Sequence, residues 1–106
     1  MAKIAYTVRA TCVSGEQAEA YAAWLRDGHL AAVVAGGARS GACVRLDDEP
    51  GNRFRVEARY EFPDRAAFDA YVRDHAPALR QEGLRRFGPE TGVRFERTVG
   101  VIAGSV

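Results

Sequence analysis

The chain has 106 residues, with 15 Lys and Arg against 14 Asp and Glu and a formal net charge of +1. That length predicts a single domain over residues 1–106, large enough to bury roughly two thirds of the surface its unfolded chain exposes. The near-neutral balance excludes the basic excess of a dedicated nucleic-acid binder, and the apolar stretch Leu30 to Val34, even with its small neighbours, is far too short to cross a bilayer.

The first strand is predicted over residues 3 to 13. Ile4, Tyr6, Val8, Ala10 and Cys12 alternate with Ala5, Thr7, Arg9 and Thr11, a period of two with one apolar face. The N-terminus enters this pattern directly, without the apolar core and cleavage site of a leader, so a cytoplasmic location is expected. Ser14 and Gln17 have capping-box spacing and start a helix. Ala18, Tyr21, Ala22, Leu25 and His29 then recur at helical spacing. Gly28 weakens the helix near its end, Leu30 to Ala35 adds a short turn, and Gly36-Gly37 terminates it.

Arg39 to Asp47 reads as a second strand with Ala42, Val44 and Leu46 on one face. The breaker-rich Asp48 to Asn52 turns it into a hairpin. In the third strand, Arg53 to Phe62, the apolar residues Phe54, Val56, Ala58, Tyr60 and Phe62 alternate with charges. Pro63 stops that strand and Asp64 caps a second helix. This helix is expected to carry Phe68, Tyr71, Val72 and His75 inward. Pro77 breaks it, because proline lacks an amide donor and clashes with the preceding turn. A further helical piece with Leu79, Leu84 and Phe87 runs to Gly88-Pro89, and Gly92 to Val99 is the fourth strand.

The order β-α-β-β-α-β predicts an α+β, ferredoxin-like domain: an antiparallel four-stranded sheet with two helices on one face. The second sheet face then collects Thr7, Arg9, Cys43, Arg45, Arg55, Glu57, Arg59, Glu61, Arg94 and Glu96. Three readings fit it: a solvated face, a homodimer interface built from Arg9, Arg45, Arg55, Glu57, Arg59, Glu61, Arg94 and Glu96, or an RNA-binding face. The last is the weakest, since such faces stack bases on aromatic residues, and Tyr6, Phe54, Tyr60 and Phe62 all fall in the helix-side register.

Three stretches carry a family resemblance: Tyr21-Ala22-Ala23-Trp24-Leu25 through His29, Tyr60-Glu61-Phe62-Pro63 through Phe68 and Tyr71, and His75-Ala76-Pro77-Ala78-Leu79-Arg80 through Phe87. Through them the chain resembles the dimeric α+β barrel superfamily, which includes antibiotic-biosynthesis-type monooxygenases, haem-degrading enzymes and stress-response proteins. Within it the chain looks like a family of small bacterial proteins of uncharacterised function. The resemblance implies a homodimer with a pocket between helices and sheet in each subunit, and leaves the chemistry open.

His29 and His75 are the candidate acid, base or ligand residues, each with the plainer reading of a capping or packing histidine. The helix dipole at the end of the first helix is expected to favour the His29 imidazolium. A joint role is disfavoured: the helices run antiparallel, and His75 stands about three turns, some ~16 Å, into its own. Tyr6, Tyr21, Trp24 and Tyr60 are the residues that can line a pocket. The resemblance to haem-degrading enzymes implies a tryptophan paired with a suitably placed asparagine and histidine, and since Asn52, the one asparagine, sits in the hairpin turn, haem chemistry is disfavoured. No His, Cys or carboxylate spacing suits a metal, Gly36-Gly37 lacks the form of a phosphate loop, and no cofactor is expected. Cys12 and Cys43 read as free thiols, with Cys43 beside Arg45 on the charged face, where a thiolate is stabilised. Arg80, Arg85 and Arg86 read as a solvated helix face.

Two functions follow. The first is a homodimeric small-molecule-binding or accessory protein whose pocket takes a small apolar or aromatic ligand, with no nucleic-acid or membrane partner. The second is a cofactor-independent monooxygenase-like enzyme acting on a small aromatic substrate.

Overall fold

A computed structural model describes residues 2–106. Strands β1 (Ile4–Thr11), β2 (Ser40–Arg45), β3 (Arg55–Phe62) and β4 (Arg94–Val101) form one sheet in the order β2-β3-β1-β4, every neighbour antiparallel. The connections make this the predicted ferredoxin-like α+β fold. Helices α1 (Gly15–Trp24), α2 (Leu30–Ala35), α3 (Arg65–Asp74) and α4 (Ala76–Arg86) supply the rest of the core. Ile4, Leu25, Val33, Val56 and Phe62 are its most completely buried large side chains.

The capping signals act as predicted. Ser14 Oγ accepts from Gln17 N–H, and Gln17 Oε1 accepts from Val13 N–H. Asp64 Oδ1 accepts from Ala67 N–H at the start of α3. The Ser14 and Asp64 bonds each satisfy an amide that the helix leaves unpaired, whereas Gln17 bonds the Val13 N–H, one residue before the cap, in place of the Ser14 N–H of a full capping box.

The first helical segment departs from prediction. Regular helix stops at Trp24, and Leu25–His29 forms a wide, π-type turn before α2. Gly28 sits inside this turn at φ 157°, ψ −28°, a conformation that side chains strongly disfavour. In the second helical segment the break falls at His75, with Pro77 in the first turn of α4, where its missing donor costs nothing. Val72 is exposed and so is His75, so the expectation that both turn inward is wrong. The chain bends at His75, so the stripe that buries Phe68 and Tyr71 does not continue to it.

Strand β2 is shorter than predicted and its faces are reversed. Cys43 pairs with Ala58, Gly41 with Tyr60 and Arg45 with Val56, so these residues share the helix-side register. Ala42 and Val44 face outward with Arg59 and Glu57. Cys43 and Arg45 therefore leave the predicted charged face. A shift of one residue moves every side chain of a strand to the other side, and Cys43 packs against the core.

Candidate functional site

Between sheet and helices lies a cavity of about 210 Å³. Its floor is Tyr6 and Val8 of β1, Ala58 and Tyr60 of β3, and Phe95 and Arg97 of β4. Helix α1 contributes Tyr21 and Trp24, the wide turn His29, α3 Tyr71, and α4 Leu79, Arg80, Gly83 and Leu84. Residues two apart on a strand share a face, which is why β1 and β3 offer Tyr6, Val8, Ala58 and Tyr60 together.

The walls are mostly aromatic. Tyr6 stacks on Tyr60 at 5.8 Å between ring centroids, and Tyr21 meets Phe87 edge-on at 5.1 Å. Trp24 is held from below by Tyr21 at 5.8 Å and covered by the His29 ring at 4.2 Å. Helix α4 passes close to the indole because residue 83 is glycine: a Cβ there would stand 3.2 Å from Trp24 Cη2. The four predicted pocket residues, Tyr6, Tyr21, Trp24 and Tyr60, thus line one cavity.

Burial controls the ionisable groups. It pushes the Tyr21 and Tyr60 hydroxyls well above their usual range, and lifts Tyr71 to about 12, against the opposing charges of Arg80 and Arg97 near Tyr71. These phenols are neutral hydrogen-bonding groups at any ordinary pH. The Tyr60 Oη is buried with no hydrogen-bond partner among the described residues. Burial also lowers the His29 pKa, against the attraction of Glu82, so the imidazole is neutral near pH 7. The expectation that the helix dipole favours the imidazolium is corrected: no regular helix ends at His29, and desolvation dominates.

The two candidate histidines do not meet in one site. His29 is half-buried on the cavity wall, whereas His75 is exposed at the α3–α4 break, its ring stacked 6.4 Å from Tyr71. Arg80 is not simply a solvated residue, since it borders the cavity mouth. Arg97 is a wall residue that the site reading overlooked. Its signal is the alternation Phe95, Arg97, Val99, which puts it in register with Val8 on the inner face. A second hollow of about 500 Å³ lies on the far side of Trp24 and His29, bordered by Asp27, Glu82 and Arg86.

The outer sheet face is organised around Glu57, only 5% exposed. Its carboxylate accepts from Arg9 Nε and from Arg59 Nε, at 2.8 and 2.9 Å. Burial alone would raise its pKa, but the two guanidinium groups outweigh burial and hold it below the usual value. Glu61 reaches Lys3 at 3.9 Å, and Glu96 is paired in register with Arg9. Burial raises the pKa of both free thiols, so Cys43 is not the stabilised thiolate predicted beside Arg45. Among the described residues no group of three or more His, Cys, Asp or Glu gathers as metal ligands would, and no helix is long and apolar enough to cross a membrane.

No curated protein sequence matches the chain. Solved structures match over nearly its whole length at low identity. A dimeric ferredoxin-like protein from an uncultured marine organism superposes with a TM-score of 0.81 at 17% identity, covering 100% of both chains. A second such protein, also from an uncultured marine organism, gives 0.74 at 10% identity, covering 100% of this chain and 98% of that one. A variant of SnoaB, a cofactor-independent oxygenase from Streptomyces nogalater, gives 0.68 at 13% identity over 98% and 96% of the two chains. At these identities the likeness establishes the shared fold. Residues 3–101 match the family described as a domain of unknown function, DUF4286, and the chain belongs to that family.

Proposed function

We propose that this protein is a homodimeric small-molecule-binding protein whose pocket is the cavity between sheet and helices. The observation that carries this reading is the cavity itself, about 210 Å³ enclosed largely by the aromatic side chains of Tyr6, Tyr21, Trp24, Tyr60, Tyr71 and Phe95. An engineered cavity of roughly 150 Å³ accepts benzene, so about 210 Å³ suits a small aromatic ligand.

The homodimer forms through the outer sheet face. Supporting it are the mixed charges of Arg9, Arg55, Arg59 and Arg94 with Glu57, Glu61 and Glu96, and the two dimeric proteins of the same fold. A two-fold axis lets one face complement itself. A cytoplasmic location belongs to the same reading, supported by two unpaired thiols. Native mass spectrometry of the purified protein tests both parts: a dimer carrying a small-molecule adduct is expected, and a bare monomer overturns them.

A second reading is a cofactor-independent oxygenase-type enzyme. A neutral, half-buried imidazole on the cavity wall favours it, together with the fold shared with SnoaB. His29 is then the base that takes a proton from an activated aromatic substrate, and dioxygen is the oxidant. Oxygen uptake with electron-rich phenols tests this; uptake that survives His29→Gln unchanged removes His29 from that role.

A further inference from the structure

The inner cavity is electrically one-sided. Its apolar walls carry two guanidinium groups, Arg97 and Arg80, and no carboxylate. Neither arginine forms an ion pair among the described residues. Glu82, the acid near His29, borders the other hollow instead.

Arg97 is the less expected of the two. The β1–β4 register sets it opposite Val8, between Phe95 and Val99, on the face that otherwise meets the helices. Its guanidinium lies 5.9 Å from the Phe95 ring centroid, so the side chain runs along the apolar wall with its charge at the mouth. Arg80 approaches the same mouth from α4.

Tyr60 stands at the other end. It is on β3, two strands from β4 and one inward-facing position away along the strand direction. With strands ~4.8 Å apart and ~3.4 Å per residue, the Cα atoms of Tyr60 and Arg97 are roughly 12 Å apart. Tyr6, on the strand between them, lines the same cavity as Tyr21 and Trp24 of α1.

We propose that the ligand is an aromatic acid of one or two rings, its carboxylate on Arg97 and Arg80 at the mouth and its ring body between Tyr6, Tyr21 and Trp24. Tyr60 closes the far end, so the span from Arg97 to Tyr60 limits the length of the ring body. This rests on the cavity being a ligand pocket at all. Guanidinium is the cation that best matches a carboxylate, because its planar fork binds both oxygens. An inward charge on an edge strand also deters strand-to-strand aggregation, a role that needs no ligand and predicts no preference for anions.

The experiment compares 2-naphthoate with the neutral, near-isosteric 2-naphthamide by isothermal titration calorimetry on the full chain. The acid is expected to bind at least about tenfold more tightly, as charge-assisted bonds imply. The gap should close in Arg97→Gln, narrow in Arg80→Gln and return in part in Arg97→Lys. Equal binding of acid and amide overturns the acid preference and leaves an aromatic pocket. A gap that persists undiminished in both glutamine variants overturns the assignment to these arginines. Binding of neither compound defeats the pocket reading and this inference with it.

Discussion

The imidazole of His29 lies on the indole of Trp24, with ring centroids 4.2 Å apart and planes 22° from parallel. In a regular helix, residues five apart point about 140° away from each other and do not meet. The wide turn at Leu25–His29 makes the stack, and the stack forms part of the wall between the inner cavity and the outer hollow.

Burial in that stack gives His29 a lowered pKa, and the sign of its effect on stability follows. The folded protein holds His29 neutral while the unfolded chain protonates it near its ordinary value of 6.5. Stability is therefore full above 6.5 and falls as pH drops from there to the depressed folded value. The melting temperature is expected to decline between pH 7 and 5.5, and His29→Gln is expected to flatten that decline. An NMR titration placing the His29 midpoint at or above 6.5 would falsify this.

Tyr60→Phe should stabilise the ligand-free protein, which is unusual for a buried residue. The Oη is buried without a partner, and such a group costs roughly 1–3 kcal/mol. Removing it leaves the ring in place between Tyr6 and Gly41. We expect a gain of about 1 kcal/mol, or a melting temperature higher by roughly 4–8 °C for a chain of this size. A lower melting temperature for the variant would mean that the hydroxyl is already satisfied in the free protein.

Much of this was legible in the sequence, for particular reasons. The charged alternation of Arg55 to Glu61 fixes both faces of β3, because each inward position is apolar and each outward one charged. β2 lacks that contrast. Gly41, Ala42, Cys43 and Val44 are all small or apolar, so either face can serve as the inner one, and the choice falls to tertiary packing. What decides it is Gly41: opposite Tyr60, it leaves room for the ring, and a Cβ there would stand 3.2 Å from it. The cavity wall was legible wherever an aromatic residue occupied an inward register. Arg97 was not, since charge normally marks the outer face, and the alternation alone argued otherwise.

Glu57 should matter more than any other charged residue of the outer face. Arg9 and Arg59 both donate to it, and it is nearly inaccessible already in the single chain. Glu57→Gln removes the charge that both guanidinium groups face. We expect a loss of about 1–2 kcal/mol in denaturant unfolding, held down because both arginines stay partly exposed and can rehydrate. The lowered carboxyl pKa gives a matching pH signature: its stabilisation is present above the ordinary value of 4.5 and is lost as pH falls through the depressed folded value. If the proposed dimer uses this face, Glu57→Gln also shifts the sedimentation profile toward monomer. Unchanged unfolding and unchanged sedimentation together would reduce the Arg9–Glu57–Arg59 cluster to surface decoration.

Gly28→Ala tests whether the wide turn shapes the cavity. No side chain crowds the position, since a Cβ built there meets nothing within 4 Å, so any cost comes from the backbone alone. At φ 157° and ψ −28° an alanine is strained by roughly 1–3 kcal/mol. The cheapest relief is to rewind Leu25–His29 as regular helix, which carries His29 off the indole. Two readings are therefore expected to move together: a lower melting temperature and an altered near-ultraviolet dichroism of Trp24, the one tryptophan of the chain. His29→Gln should disturb the tryptophan signal with much less loss of stability, because it removes the stacked ring and leaves the backbone unstrained. A Gly28→Ala protein with the parent melting temperature and dichroism would show that the turn accepts a side chain, and that the Trp24–His29 stack does not depend on glycine.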